Sequence, residues 1–120
     1  MKRKILVVDD EPEILALLGE YLTKKGFQVT KCSGGEEALA TVKSGRTFDI
    51  ILLDGRMPGI DGIAVLEEFE NMKFNIPVIF LTGDIDWEAK HCDVKVDSFI
   101  NKPVDLHKLL DKINKILKVR

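Results

Sequence analysis

Four places in this 120-residue chain put reactive side chains just after short apolar runs. Asp9, Asp10 and Glu11 follow Ile5 to Val8, Asp54 follows Ile50 to Leu53, Thr82 follows Val78 to Leu81, and Lys102 comes after Ser98 to Ile100. Taken singly, each has an ordinary explanation: an acid after a strand suits the positive start of a helix, threonine favours strands, and a lone lysine is usually solvated. Jointly they say more. A fold that brings these segment ends to one rim gathers three aspartates, a hydroxyl and an ammonium in one place. Two carboxylates at about 4 Å repel by roughly 4 kcal/mol at an effective dielectric of about 20. Either one of them keeps a proton or a cation binds, and an oxygen-only donor set suits Mg²⁺ rather than zinc. Such a site recruits phosphate.

The elements that must carry these residues are readable from periodicity. Apolar runs alternate with longer amphipathic stretches, the pattern of a parallel sheet with helices on both faces. Strands are predicted over Ile5–Val8, Val29–Cys32, Ile50–Leu53, Val78–Leu81 and Ser98–Ile100, the second and most polar lying at an edge. Pro12 opens a first helix whose stripe is Ile14, Leu15, Leu17, Leu18, Tyr21 and Leu22, and Gly26 ends it. A second helix follows Gly34 and Gly35 with Ala38, Leu39 and Val42 inward and stops near Gly45; a third opens at Gly62 with Val65, Leu66, Phe69 and Met72. The last is capped by Asp105 and carries Leu106, Leu109, Leu110, Ile113, Ile116 and Leu117 on one side, with Lys108, Lys112 and Lys115 on a solvated opposite face. Right-handed crossovers then give an α/β fold, a five-stranded, doubly wound parallel sheet, and ligands in such sheets sit beyond the carboxyl ends of the strands. All four reactive sites lie there.

Composition narrows the function classes. The length suits one domain, residues 1–120, with no repeat or linker. With 18 basic and 20 acidic residues the net charge is -2, which offers no global attraction to nucleic acid or to an anionic membrane. The apolar runs are far too short to span a bilayer, so a cytoplasmic protein is expected. Cys32 and Cys92 form no CxxC and are read as inert, reduced thiols; His91 and His107 lack metal-ligand spacing and are given no role.

The ordered set Lys4-Ile5-Leu6-Val7-Val8-Asp9-Asp10-Glu11, Asp54-Gly55-Arg56-Met57-Pro58-Gly59-Ile60-Asp61-Gly62, Thr82 and Phe99-Ile100-Asn101-Lys102-Pro103 resembles the receiver domain of two-component response regulators, over essentially the whole chain. The resemblance implies the flavodoxin-like strand order 2-1-3-4-5. It implies that Asp54 is the phosphoacceptor, that Asp10 and Asp54 ligate Mg²⁺ directly with the backbone carbonyl of Arg56, and that Asp9 acts through a metal-bound water. Thr82 and Lys102 would contact the phosphoryl group, and Thr82 and Phe99 would form a switch that alters the face made by the fourth helix, fifth strand and fifth helix. The donor would be a phosphohistidine on a sensor histidine kinase or a histidine phosphotransfer protein; the domain itself would bind neither nucleic acid nor membrane. It would be a regulator with intrinsic self-phosphorylation and self-dephosphorylation chemistry rather than an enzyme. A cis peptide before Pro103 is also expected.

Several positions depart from the family pattern. Gly55 and Gly83 stand where larger residues are usual, which widens access to the acceptor and favours small-molecule donors or faster hydrolysis. Arg56 and Asp84 carry opposite charges at flanking positions, where they could pair across the mouth of the site or stay separately solvated. The stretch from Thr82 to Lys102 is short, Trp87, Ala89 and Cys92 make a feeble helical stripe, and Val94-Lys95-Val96 replaces the usual turn, so the fourth helix is the weakest element. Other classes fit less well. An electron carrier needs a hydroxyl- and glycine-rich phosphate loop where Asp9-Asp10-Glu11 would repel flavin phosphate. An aspartate-based phosphatase needs D-x-D, and Glu11 holds the third position. A docking module without chemistry would not need the full set of reactive residues.

Overall fold

Alternation along the strands decides how the layers form. In the computed structural model, which describes residues 2–91 and 96–118, the strands are β1 (Lys4–Val8), β2 (Gln28–Cys32), β3 (Ile50–Asp54), β4 (Val78–Thr82) and β5 (Ser98–Asn101). The helices are α1 (Pro12–Lys24), α2 (Gly35–Lys43), α3 (Gly62–Asn71), α4 (Ile85–His91) and α5 (Leu106–Lys118). All four strand pairings are parallel, in the order β2-β1-β3-β4-β5. The expected topology and strand positions hold, and β2 is an edge strand, as its polarity predicts.

One set of alternate residues, Leu6, Val8, Ile51, Leu53 and Phe80, packs under Ala38, Val42, Val65, Leu66 and Phe69 of α2 and α3. The other set, Ile5, Val7, Ile50, Leu52, Ile79 and Leu81, meets Leu18 and Leu22 of α1 and Leu109, Ile113 and Leu117 of α5. Because β1, β3 and β4 are buried on both faces, their sequences read as unbroken apolar runs. Each fully buried Leu, Ile or Val contributes about 1.5–3 kcal/mol, so these two cores fix the sheet between its helix layers. α4 packs along β5.

Two expectations about helix faces change. Leu17, placed in the apolar stripe of α1, is 49% exposed, because Leu18 and Leu22 face the sheet and position 17 falls on the solvent side of the turn. The lysine row of α5 is not uniformly solvated: Lys112 is half-buried and its ammonium donates to Ser98 Oγ at 2.9 Å, joining α5 to β5. The last helix does start at Asp105, whose Oδ1 accepts from the Lys108 N–H. α1 ends as expected before Gly26, which adopts φ 96°, a left-handed conformation that glycine takes without a Cβ penalty. Cys92 and residues 94 and 95 lie outside the described residues. Among those described, no helix is long and apolar enough to cross a membrane.

Candidate functional site

The rim at the carboxyl ends of the strands concentrates the buried polar groups. Asp9, Asp54 and Thr82 are the buried polar or charged residues among those described, at 0%, 3% and 1% exposure. Each sits where an apolar strand must turn, so the packing that buries Val8, Leu53 and Leu81 also removes the next side chain from water. Asp9 Oδ1 accepts from the Glu11 N–H at 2.9 Å, and Asp54 Oδ1 accepts from the Arg56 N–H at 3.3 Å. Asp10 is half-buried beside them, and Asp9, Asp10 and Asp54 each offer an oxygen within 4.8 Å of the others.

Lys102 crosses the rim from β5. Its ammonium lies 3.1 Å from Asp9 Oδ2, 3.1 Å from Asp54 Oδ1 and 3.3 Å from Glu11 Oε1. The backbone puts it there: the Lys102 N–H donates to the Thr82 carbonyl at 2.8 Å, and the Lys102–Pro103 peptide is cis, as expected. Burial, and then the neighbouring Asp9 carboxylate, push Asp54 from 3.8 up to about 6, while Lys102 and the Arg56 N–H pull it down. Burial alone would lower the Lys102 pKa, but the Asp54 and Asp9 carboxylates outweigh it and hold the ammonium above its usual value. One ammonium among three aspartates thus leaves acidic charge uncompensated. The donors are carboxylates that only accept, the chemistry of a hard divalent cation such as Mg²⁺.

The remaining expected residues fall near this rim. Thr82 Oγ1 accepts from the Asp84 N–H at 3.0 Å, and Asp84 Oδ1 in turn accepts from the Trp87 N–H at 3.1 Å, starting α4. The Arg56 guanidinium lies over the Trp87 ring, 5.5 Å from its centroid. Phe99, half-buried on the edge strand β5, meets Phe80 edge-on with ring centroids 5.8 Å apart. Nothing in space approaches the Cβ position of Gly83, whereas Gly55 is buried under the start of α3.

Two contributors escaped the sequence reading. Glu11 was legible as an acid at a strand end but not as a partner of Lys102, a contact across the sheet that no local spacing reports. Gly62 was legible as a helix start, but its tight fit was not: a methyl there would overlap the Asp54 carbonyl oxygen and lie 2.8 Å from Gly55 Cα. Cys32 is buried beside Thr41, and burial raises its thiol pKa, in keeping with an inert core cysteine.

Comparisons with known proteins converge with this geometry. The sporulation initiation phosphotransferase F of Bacillus subtilis is 34% identical over 122 aligned positions, covering 100% of this chain and 98% of that protein. The transcriptional regulatory protein TcrA of Mycobacterium tuberculosis is 35% identical over 92% of this chain, which spans 44% of that longer protein. The crystal structure of the response regulator TrrA from Thermotoga maritima, in complex with Mg²⁺ and BeF, superposes with a TM-score of 0.87 at 35% identity, covering 96% of this chain and 99% of that one. A profile of the response regulator receiver domain matches residues 5–114. The doubly wound sheet, the three aspartates and the lysine at its rim, and these matches agree: the chain belongs to the response regulator receiver domains, the phosphoacceptor signalling switches of two-component systems.

Proposed function

We propose that Asp54 is the phosphoacceptor, that Asp9, Asp10, Asp54 and the backbone carbonyl of Arg56 hold Mg²⁺, and that residues 1–120 act as one receiver unit. The observation that carries this reading is the Lys102 ammonium at 3.1 Å from both Asp9 and Asp54, a cation already where charge on a transferred phosphoryl group would develop. An Asp54 carboxylate oxygen attacks phosphorus, the phosphorus–nitrogen bond of a donor phosphohistidine breaks, and its electron pair returns to the imidazole. Mg²⁺, when bound, offsets the charge of the carboxylates and of the incoming phosphoryl oxygens. The product is an acyl phosphate. Attack of water on its phosphorus restores the carboxylate, which makes the signal timed.

The donor is a sensor histidine kinase or a histidine phosphotransfer protein, and the open space at the Cβ position of Gly83, next to Thr82, favours small acyl phosphates as substitutes. This reading places the protein in the cytoplasm, where kinase phosphohistidines are made from ATP. Thr82 Oγ1 now accepts from the Asp84 N–H. Displacing Oγ1 toward the phosphoryl group, so that its O–H donates there, would draw it away from the Asp84 N–H and loosen the start of α4. Phe99 then rotates inward, and the α4-β5-α5 face changes for an output partner.

Intact mass after incubation with acetyl phosphate tests the chemistry. The native chain gains one phosphoryl group with Mg²⁺ and none with chelator, and Asp54→Asn gains none in either case. An equal gain by Asp54→Asn would overturn the assignment.

A further inference from the structure

Behind the acceptor, a second line of contact runs through the core and does not pass through Thr82. Gly62 donates its N–H to the Gly55 carbonyl at 3.1 Å, so the first residue of α3 is pinned against the turn that leaves Asp54. A methyl on Gly62 would overlap the Asp54 carbonyl oxygen and lie 2.9 Å from Phe80 Cζ. The tip of the Phe80 ring therefore abuts the corner at which the acceptor strand becomes α3. Phe80 is fully buried and is paired in register with Leu53 of β3 and Phe99 of β5. It also meets the Phe99 ring edge-on, at 5.8 Å between centroids and 62° between planes.

We propose that Phe80, wedged between the Gly62 corner behind Asp54 and the ring of Phe99, is a positioning residue for the switch: it holds Phe99 in its present orientation and carries displacement of the acceptor turn to it. The coupling is steric. Close-packed interiors pass a small shift on rather than absorb it, and a planar ring has fewer ways than a leucine or methionine to yield when its tip is pushed. Phe99 is only half-buried and lies on an edge strand, whereas Phe80 is fully buried on an inner strand of the sheet. Loss of one edge-to-face partner is worth about two- to tenfold in the population of the ring orientation that it favours.

This inference rests on Phe99 being a switch, and the experiment separates the two. Aromatic NMR signals of Phe99, assigned by Phe99→Leu in the full chain, are followed with and without beryllofluoride and Mg²⁺. A Phe99 signal in the native chain that ignores beryllofluoride bound at Asp54 removes the switch itself, whatever Phe80 does. For Phe80 the arms are run without beryllofluoride. Phe80→Leu, and Phe80→Met as a variant that keeps more volume, are expected to shift the Phe99 orientation about two- to tenfold from native, whereas Phe69→Leu, a core change on the same face, leaves it in place. Gly62→Ala is expected to move the Phe99 signal in the native background and not alongside Phe80→Met. A Phe99 signal at its native position in both Phe80 variants overturns the proposal. So does an equal shift in Phe69→Leu, or a Gly62→Ala effect that survives without the Phe80 ring.

Discussion

The Lys102 ammonium lies 3.1 Å from Asp54 Oδ1, joining the end of β5 to the end of β3 across the mouth of the sheet. Asp9 and Glu11 share the same ammonium, at 3.1 and 3.3 Å. A single cation that three carboxylates divide is poorly matched in charge, and the first consequences to be measured follow from that mismatch.

Asp54 should cost stability at neutral pH. Its folded pKa is raised from 3.8 to about 6, so the folded state holds the proton more tightly than the unfolded chain does. Stability from this group is then greatest below the unfolded value and is lost as pH rises through about 6. The shift corresponds to about 3 kcal/mol at most. Without metal, Asp54→Asn should therefore be more stable than the native chain at pH 7, by about 1–3 kcal/mol in urea unfolding. The advantage should shrink toward zero near pH 4. A constant difference across that range would count against the assignment of the raised pKa to Asp54.

Removing the lysine should have the opposite sign. Lys102→Ala leaves the buried Asp9 and Asp54 without their ammonium, and loss of about 1–3 kcal/mol at pH 7 is expected without metal. Mg²⁺ should then stabilise this variant more than the native chain, since it would be the remaining compensating charge at the rim. Paired urea titrations with Mg²⁺ and with chelator read both effects.

The three aspartates should not be equivalent toward Mg²⁺. Asp9 is already committed to Lys102 and to the Glu11 N–H, whereas Asp10 is more open. Asp10→Ala should lower Mg²⁺ affinity more than Asp9→Ala does, as measured by titration calorimetry. Native protein at a Mg²⁺ concentration 100 times its Kd should gain about 2.7 kcal/mol. Superimposable titrations of the two variants would refute this division.

Two glycines should separate packing from access. At Gly35 a methyl would lie 2.7 Å from Val65 Cγ2 and 2.8 Å from the Ile60 carbonyl, so Gly35→Ala should destabilise by about 1–3 kcal/mol. Gly83 has nothing within 4 Å of its Cβ position, so Gly83→Ala should leave stability within about 0.5 kcal/mol of native. Because it restores cover beside the acceptor, it should slow acyl phosphate hydrolysis, followed by the decay of the phosphorylated mass.

Local chemistry in the sequence was sufficient for the layers and for the site's membership. Unbroken runs such as Ile50 to Leu53, alternating with amphipathic stretches, suit a parallel sheet buried on both faces, and that sheet sends Asp9, Asp54, Thr82 and Lys102 to a common edge because each follows its own strand. Strand positions followed from short unbroken apolar runs, helix faces from a period of 3.6, helix starts from Pro12, Gly62 and Asp105, and the acidic cluster from the residues that leave the strands. What the sequence could not hold were distances between segments far apart in the chain. That Lys102 chooses Glu11 as well as Asp9 and Asp54, that Leu17 turns outward, that Lys112 reaches Ser98, and that Phe80 fills the space between Gly62 and Phe99 are outcomes of which surfaces meet. Those choices depend on side-chain volume and charge summed over both partners, and only the packed tertiary structure brings the partners together.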